Sequence, residues 1–287
     1  ALAFGVYYFG MRVAIAAVVS VGSAVFFEWA YRKFTKKHCT IGDLSACVTG
    51  IILAMNLPVT FPLWMAIIGC LVAIIVVKEM FGGIGQNFAN PALVGRIVLF
   101  VSFASYMTDW NADKGLVVAS ATPLGMLNQG AENLPSYLDL LLGVHGGVFG
   151  ETCALTLLIG LGYMLWKRII TPTIPLVYIG GVFVLSAVLG ADPLYQILSG
   201  GLMLGAIFMA TDYASSPVTP KGQIIYGIGC GVLTVLIRYF GSYPEGVSYA
   251  ILIMNCCVFL IEKISQPVKF GYVKPVKAPK AEKEAAK

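Results

Sequence analysis

The feature that most constrains this chain is a succession of apolar runs, each about 16 to 20 residues long, with most of the charge collected in the short segments between them. A run of that length crosses a bilayer as a helix, and none shows the ten-residue alternation that a membrane β-strand requires. The expected fold class is therefore an all-α polytopic membrane protein. Composition agrees: 58% of the 287 residues are hydrophobic and 11% are charged, against about 25% charged in a soluble domain.

Taken in order, Ala1 to Gly10 is apolar but too short to cross, and reads as the end of a truncated first helix. Met11 to Tyr31 is a full span, closed by Arg32, Lys33, Lys36 and Lys37. Gly42 to Leu57 is a short run ending at Asn56 and Pro58, and Phe61 to Val77 returns to Lys78 and Glu79. After Gly82-Gly83-Ile84-Gly85-Gln86-Asn87-Phe88-Ala89-Asn90, which suits no single regular helix, Pro91 to Ser105 leads out. Residues 106–150 carry four acids and one lysine, and their apolar patch from Tyr137 to Val148 is too short to span. Thr152 to Trp166 comes back to Lys167 and Arg168; Ile174 to Leu189, Tyr195 to Ala210, Ile224 to Phe240 and Val247 to Ile261 complete the series. The net charge of +5 is concentrated in segments that all fall on one side of this topology. Those segments mark the cytoplasmic face rather than an acidic ligand, and no nucleic-acid partner is expected.

Leu44-Ser45-Ala46-Cys47 followed by Gly50 is similar to Leu198-Ser199-Gly200-Gly201 followed by Gly205, and Phe81-Gly82 is similar to Phe240-Gly241. Each pair lies five spans apart, so the two halves run in opposite directions. About ten helices in two inverted five-helix repeats are expected, an arrangement resembling the urea channels. The divisions are residues 1–107 as the first repeat, with its first helix incomplete, 108–150 as an outer loop, 151–264 as the second repeat, and 265–287 as a Lys-rich cytoplasmic tail. Folds of this kind place ligands near the midplane at short or interrupted helices, here Gly42 to Leu57 and Tyr195 to Ala210.

Polar groups at membrane depth are costly and are retained where they pair or line a cavity. Asn87 and Asn90 are expected to satisfy the broken backbone around Pro91, with a place in a cofactor pocket as the alternative. Arg96 is expected either at helix-end carbonyls or on a ligand. Asp212 has three readings: a cap, a partner of Lys221, or an ion or cofactor ligand, and Glu245 shares the last. The seven cysteines form no Cys-x-x-Cys pair and read as small core residues, so no metal site is assigned. His38 and His145 stand alone and are expected at the surface.

Ser120-Ala121-Thr122-Pro123-Leu124 lies in the outer loop. By itself it is a turn or cap signal. Together with Gly82 to Asn87 and with Tyr243-Pro244-Glu245-Gly246-Val247-Ser248, it makes the chain resemble, over nearly its whole length, the family that holds the D subunit of the Rnf complex. The B subunit of the sodium-pumping NADH:quinone reductase belongs to the same group. The resemblance implies FMN joined to Thr122 through a phosphoester by a flavin transferase acting outside the cytoplasm. Ser120, Ala121 and Pro123 would flank it. Ala119 and Ser120 stand where the family usually has Ser and Gly, which removes some backbone freedom. The resemblance further implies a non-covalent riboflavin and an electron-carrying role linking ferredoxin to NAD+ while sodium ions or protons cross the bacterial inner membrane. It implies partners as well: the FMN-bearing G subunit, the membrane A and E subunits, the peripheral C subunit, and lipid. The chain has no soluble nucleotide-binding motif, so NAD is expected on a partner, and no catalytic side chain is assigned. The rival reading is a urea-channel-like solute channel or transporter.

Overall fold

The computed structural model describes residues 1–108, 123–128, 134–143, 145, 147–241 and 246–267. All regular structure among them is helical. In chain order, α1 is Leu2–Phe9, α2 Met11–Phe34, α3 Ser45–Met55, α4 Leu63–Leu71, α5 Pro91–Ser102, α6 Ala104–Met107 and α7 Pro123–Asn128. They are followed by α8 Tyr137–Leu142, α9 Ala154–Trp166, α10 Thr173–Val188, α11 Pro193–Leu198, α12 Leu202–Leu204, α13 Pro220–Phe240 and α14 Val247–Ser265. Two wider turns of π-helix are inserted, Val72–Glu79 continuing α4 and Gly205–Met209 continuing α12.

Three of these helices, α2, α13 and α14, are long and apolar enough to cross a membrane, and α3, α5, α9 and α10 are shorter and apolar. Their outward faces carry large apolar side chains: Val18, Leu176, Val188, Phe259 and Ile264 are each at least 65% exposed. Water would not tolerate so much continuous apolar surface, whereas lipid accepts it. The chain is a helical membrane protein.

Close packing is set by small residues. A Cβ on Gly50 of α3 would lie 2.8 Å from Val21 Cα of α2, and one on Gly95 of α5 would lie 2.8 Å from the Gly69 carbonyl oxygen of α4. Helix α2 packs on α3 and α4, and α4 on α5; later in the chain α10 packs on α11 and α13, and α13 on α14. Between these groups runs a shared core in which Val13, Leu57, Met65 and Leu99 meet Leu157, Met203 and Ile207.

The expected spans differ from the elements in instructive ways. Gly42 to Leu57 shortens to α3, preceded by a 3-10 turn at Ile41–Asp43. Tyr195 to Ala210 is interrupted: α11 stops at Leu198, Gly200 takes φ 67, and the chain restarts as α12. The patch Tyr137 to Val148 forms only α8, opened by a capping box between Ser136 and Asp139. His145, expected at the surface, is buried, its Nε2 3.1 Å from the Thr152 carbonyl oxygen. Its neighbours Phe149 and Thr152 are buried with it, a tertiary contact that the lone histidine does not advertise.

Candidate functional site

Three glycines with left-handed backbone, Gly82, Gly83 and Gly85, lead the chain away from the π-helical end of α4. Gly83 is doubly required, because a Cβ there would also lie 2.5 Å from a terminal nitrogen of Arg32. The segment ends at Asn90, which caps α5. Its side-chain oxygen accepts from Leu93 N–H at 3.2 Å, and Pro91 takes the first helical position, where no N–H is needed. The Asn90 amide nitrogen donates to the Met209 carbonyl at 3.3 Å, at the end of the second π-helix. Asn87 donates to the Ala89 carbonyl at 2.9 Å and to Asp212 Oδ2 at 3.4 Å. Both asparagines satisfy broken backbone, as expected, and in doing so tie the two halves of the chain together.

Asp212 also accepts from the Ser215 hydroxyl at 2.8 Å. It lies beyond the end of the second π-helix, and burial pushes its carboxyl above the ordinary range against hydrogen bonds from Ser215, the Ala214 backbone and Asn87. Its hydrogen bonds among the described residues go to these groups and not to Lys221. Asn255 of α14 completes the cluster when its amide is turned to suit its neighbours, accepting from Asn90 N–H at 3.2 Å and donating to the Ser215 carbonyl at 3.1 Å.

Asn87, Asn90 and Asp212 of this cluster border a cavity of about 390 Å³. Asp43, Lys78, Asn87, Asn90 and Asp212 supply polar atoms, while Ile52, Met164 and Phe208 supply apolar walls. A few polar groups on a mostly apolar wall, in a volume within the usual range for small-molecule sites, define a ligand pocket. Behind Lys78 lies a buried network. Its ammonium donates to Glu28 Oε2 at 2.9 Å and to the Ser45 hydroxyl at 2.6 Å, and Thr40 donates to Glu28 Oε1 at 2.5 Å. Arg32 holds Glu79 through Nε at 2.9 Å and a terminal nitrogen at 3.1 Å. Lys78 and Glu79, read from the sequence as a mark of the cytoplasmic face, are thus buried ion-pair members.

Arg96 does not line the cavity. From the middle of α5 it donates to Asn56 Oδ1 at 2.7 Å and to Glu151 Oε1 at 3.0 Å, and Glu151 packs against Gly201 at the break between α11 and α12. Arg238 of α13 reaches the other side of that break, donating to the Gln196 carbonyl at 2.6 Å and its side-chain oxygen at 3.1 Å. Pro123 and Leu124 are buried, and Leu124 abuts Gly200. Thr122, Ser120, Ala121 and Glu245 lie outside the described residues. Glu28 and Glu151 were not singled out from the sequence, and Lys78 was read there only as a charge at the cytoplasmic face. The available signal was Glu28 itself, a carboxylate near the end of an apolar span, with Arg32 one turn on. Among the described residues no three His, Cys, Asp or Glu side chains converge as a metal site.

The fold and site define a helical membrane protein with interrupted helices, buried ion pairs and a small-molecule pocket where two parts of the chain meet. The family model for NQR2, RnfD and RnfE matches residues 1–271, and the chain belongs to that family. It is 47% identical over 286 residues to the D subunit of the Na(+)-translocating ferredoxin:NAD(+) oxidoreductase complex of Acetobacterium woodii, covering 98% of this chain and 90% of the relative. It is 42% identical over 290 residues to the D subunit of the proton-translocating ferredoxin:NAD(+) oxidoreductase complex of Clostridium ljungdahlii, covering 94% and 88%. To the D subunit of the ion-translocating oxidoreductase complex of Actinobacillus succinogenes it is 36% identical over 320 residues, covering 95% and 90%.

Proposed function

We propose that this chain is the flavin-bearing membrane subunit of an Rnf-type oxidoreductase, carrying electrons between the ferredoxin and NAD+ sides of a complex that moves sodium ions or protons. Membership of the family and the names of its relatives support the complex. The single observation that carries a flavin role for this chain is the cavity at Asn87, Asn90 and Asp212. Its amides and carboxyl suit the nitrogen–oxygen edge of a flavin ring and Phe208 and Ile52 suit the flat apolar remainder, so riboflavin fits the donor set. A bound flavin supplies exchange between one-electron and two-electron carriers; the protein positions it and excludes water.

A second flavin, FMN, is assigned to Thr122 through a phosphoester formed by a flavin transferase. Pro123 and Leu124, seated against the interrupted α11–α12 segment, would anchor the chain beside it. Two inverted five-helix repeats remain our reading of the architecture. It is supported by a like pattern of neighbours in the two halves, α2 with α3 and α4 and α10 with α11 and α13. With basic loops and tail in the cytoplasm, the Thr122 loop lies outside the inner membrane, facing the G subunit; the A, E and C subunits, and lipid, are the remaining partners. NAD is bound by another subunit. The family and the cavity's mixed lining favour this reading over a solute channel.

Peptide mass spectrometry on the chain purified with its transferase tests the covalent site, and flavin released by denaturation tests the cavity. The expected result is an FMN adduct on the peptide holding Thr122, lost in Thr122→Val, with riboflavin released from both proteins. An unmodified Thr122 peptide and no releasable riboflavin would put the channel reading first.

A further inference from the structure

Lys78 puts a full positive charge on the cavity wall, and it is 2% exposed. It belongs to a neutral network of two acids and two bases in which Arg32 is matched to Glu79 and Lys78 to Glu28. Buried charges persist where each is paired, and this set is complete without any ligand. An ammonium nevertheless has three N–H donors. Glu28 and Ser45 take two of them. No third acceptor is seen among the described residues, and Lys78 lines the cavity.

We propose that Lys78 sets the charge state the cavity prefers in its occupant, stabilising negative charge on the nitrogen–oxygen edge of the flavin ring, with Glu28 and Ser45 as its positioning residues. This rests on the reading of the cavity as a flavin site. Reduction adds two electrons and one proton to the oxidised ring and leaves one negative charge on it. A buried ammonium at contact distance attracts that charge far more strongly than it would in water. Two carboxyl groups share the wall with it. Asp43 is exposed, and the Ser45 hydroxyl and N–H and the nearby Lys78 hold its carboxyl below the ordinary range against burial, while burial raises that of Asp212; Lys78 is the buried base among them.

The test uses the full chain carrying Thr122→Val, in lipid nanodiscs, with riboflavin as the probe, dithionite as the electron source and solvent as the proton source. Binding is read by fluorescence and the midpoint potential by absorbance. Removing Lys78 alone would strand Glu28, so the informative variant is Glu28→Gln with Lys78→Met. It is expected to lose about tenfold in preference for the reduced over the oxidised form, a fall of about 30 mV for a two-electron couple. Lys78→Arg should keep the parent potential. Ser45→Ala, which leaves both ion pairs in place, should lower it by less and serves if the double variant does not fold. Bound riboflavin with an unmoved potential in these variants overturns the role of Lys78. Failure of the Thr122→Val parent to bind riboflavin overturns the flavin reading of the cavity itself.

Discussion

Arg96 and Glu151 are 55 residues apart in the chain, both are buried, and they meet at 3.0 Å. Breaking such a pair from one side strands the partner, at about 3–5 kcal/mol, whereas replacing both with apolar groups is far milder. Arg96→Met and Glu151→Met should each lower the melting temperature in detergent sharply, and the double variant should recover much of the loss. Equal and additive losses would mean that the pair is not coupled. Asp212 behaves differently because its folded carboxyl titrates above the ordinary 3.8. A raised folded pKa favours the native state fully below the ordinary range, and that contribution is lost as pH rises through the folded value. The stability of wild type relative to Asp212→Asn should therefore decline from below pH 4 toward neutrality, as read by thermal melts across that range. A flat difference would show that Asp212 titrates normally.

At the scale of elements, two junctions decide the packing. The α2–α3 contact needs Gly50: an added methyl meets backbone at 2.8 and 2.9 Å, which side-chain motion cannot relieve. Gly50→Ala should cost about 1–3 kcal/mol. Gly22→Ala on the same α2, where a Cβ meets nothing within 4 Å, should be neutral or slightly stabilising through helix propensity. The junction from α4 to α5 depends on Asn90, which caps one helix and holds the Met209 carbonyl of another element. Asn90→Ala should cost roughly 2 kcal/mol, a cap plus one hydrogen bond, measurable as a shift in the unfolding midpoint. Asn90 was legible in the sequence as a group that satisfies the broken backbone before Pro91, after a glycine-rich turn. Its second partner was not, since Met209 lies 119 residues away.

For the molecule as a whole, the side of the membrane on which each loop lies follows from where exposed positive charge falls. On the topology proposed above, Cys39, exposed just beyond Lys33, Lys36 and Lys37, is expected in the cytoplasm. A membrane-impermeant maleimide should label it in inverted vesicles and not in intact cells; labelling in intact cells would reverse the topology. The rule works from local composition and so was open to sequence reading. It does not say which of the charges are exposed: Lys78 and Arg32 turn inward to Glu28 and Glu79.

The sequence by itself determined the helical membrane class, the family, a broken backbone around Asn90-Pro91 and short or interrupted segments at Gly42 to Leu57 and Tyr195 to Ala210, because hydropathy, proline and glycine act over one or two turns of chain. Only the tertiary structure decided which charges are buried, that Arg96 meets Glu151, and that Lys78 joins Asn87, Asn90 and Asp212 around one cavity. Those outcomes depend on which distant partner desolvates and pairs each group, and no spacing along the chain encodes that.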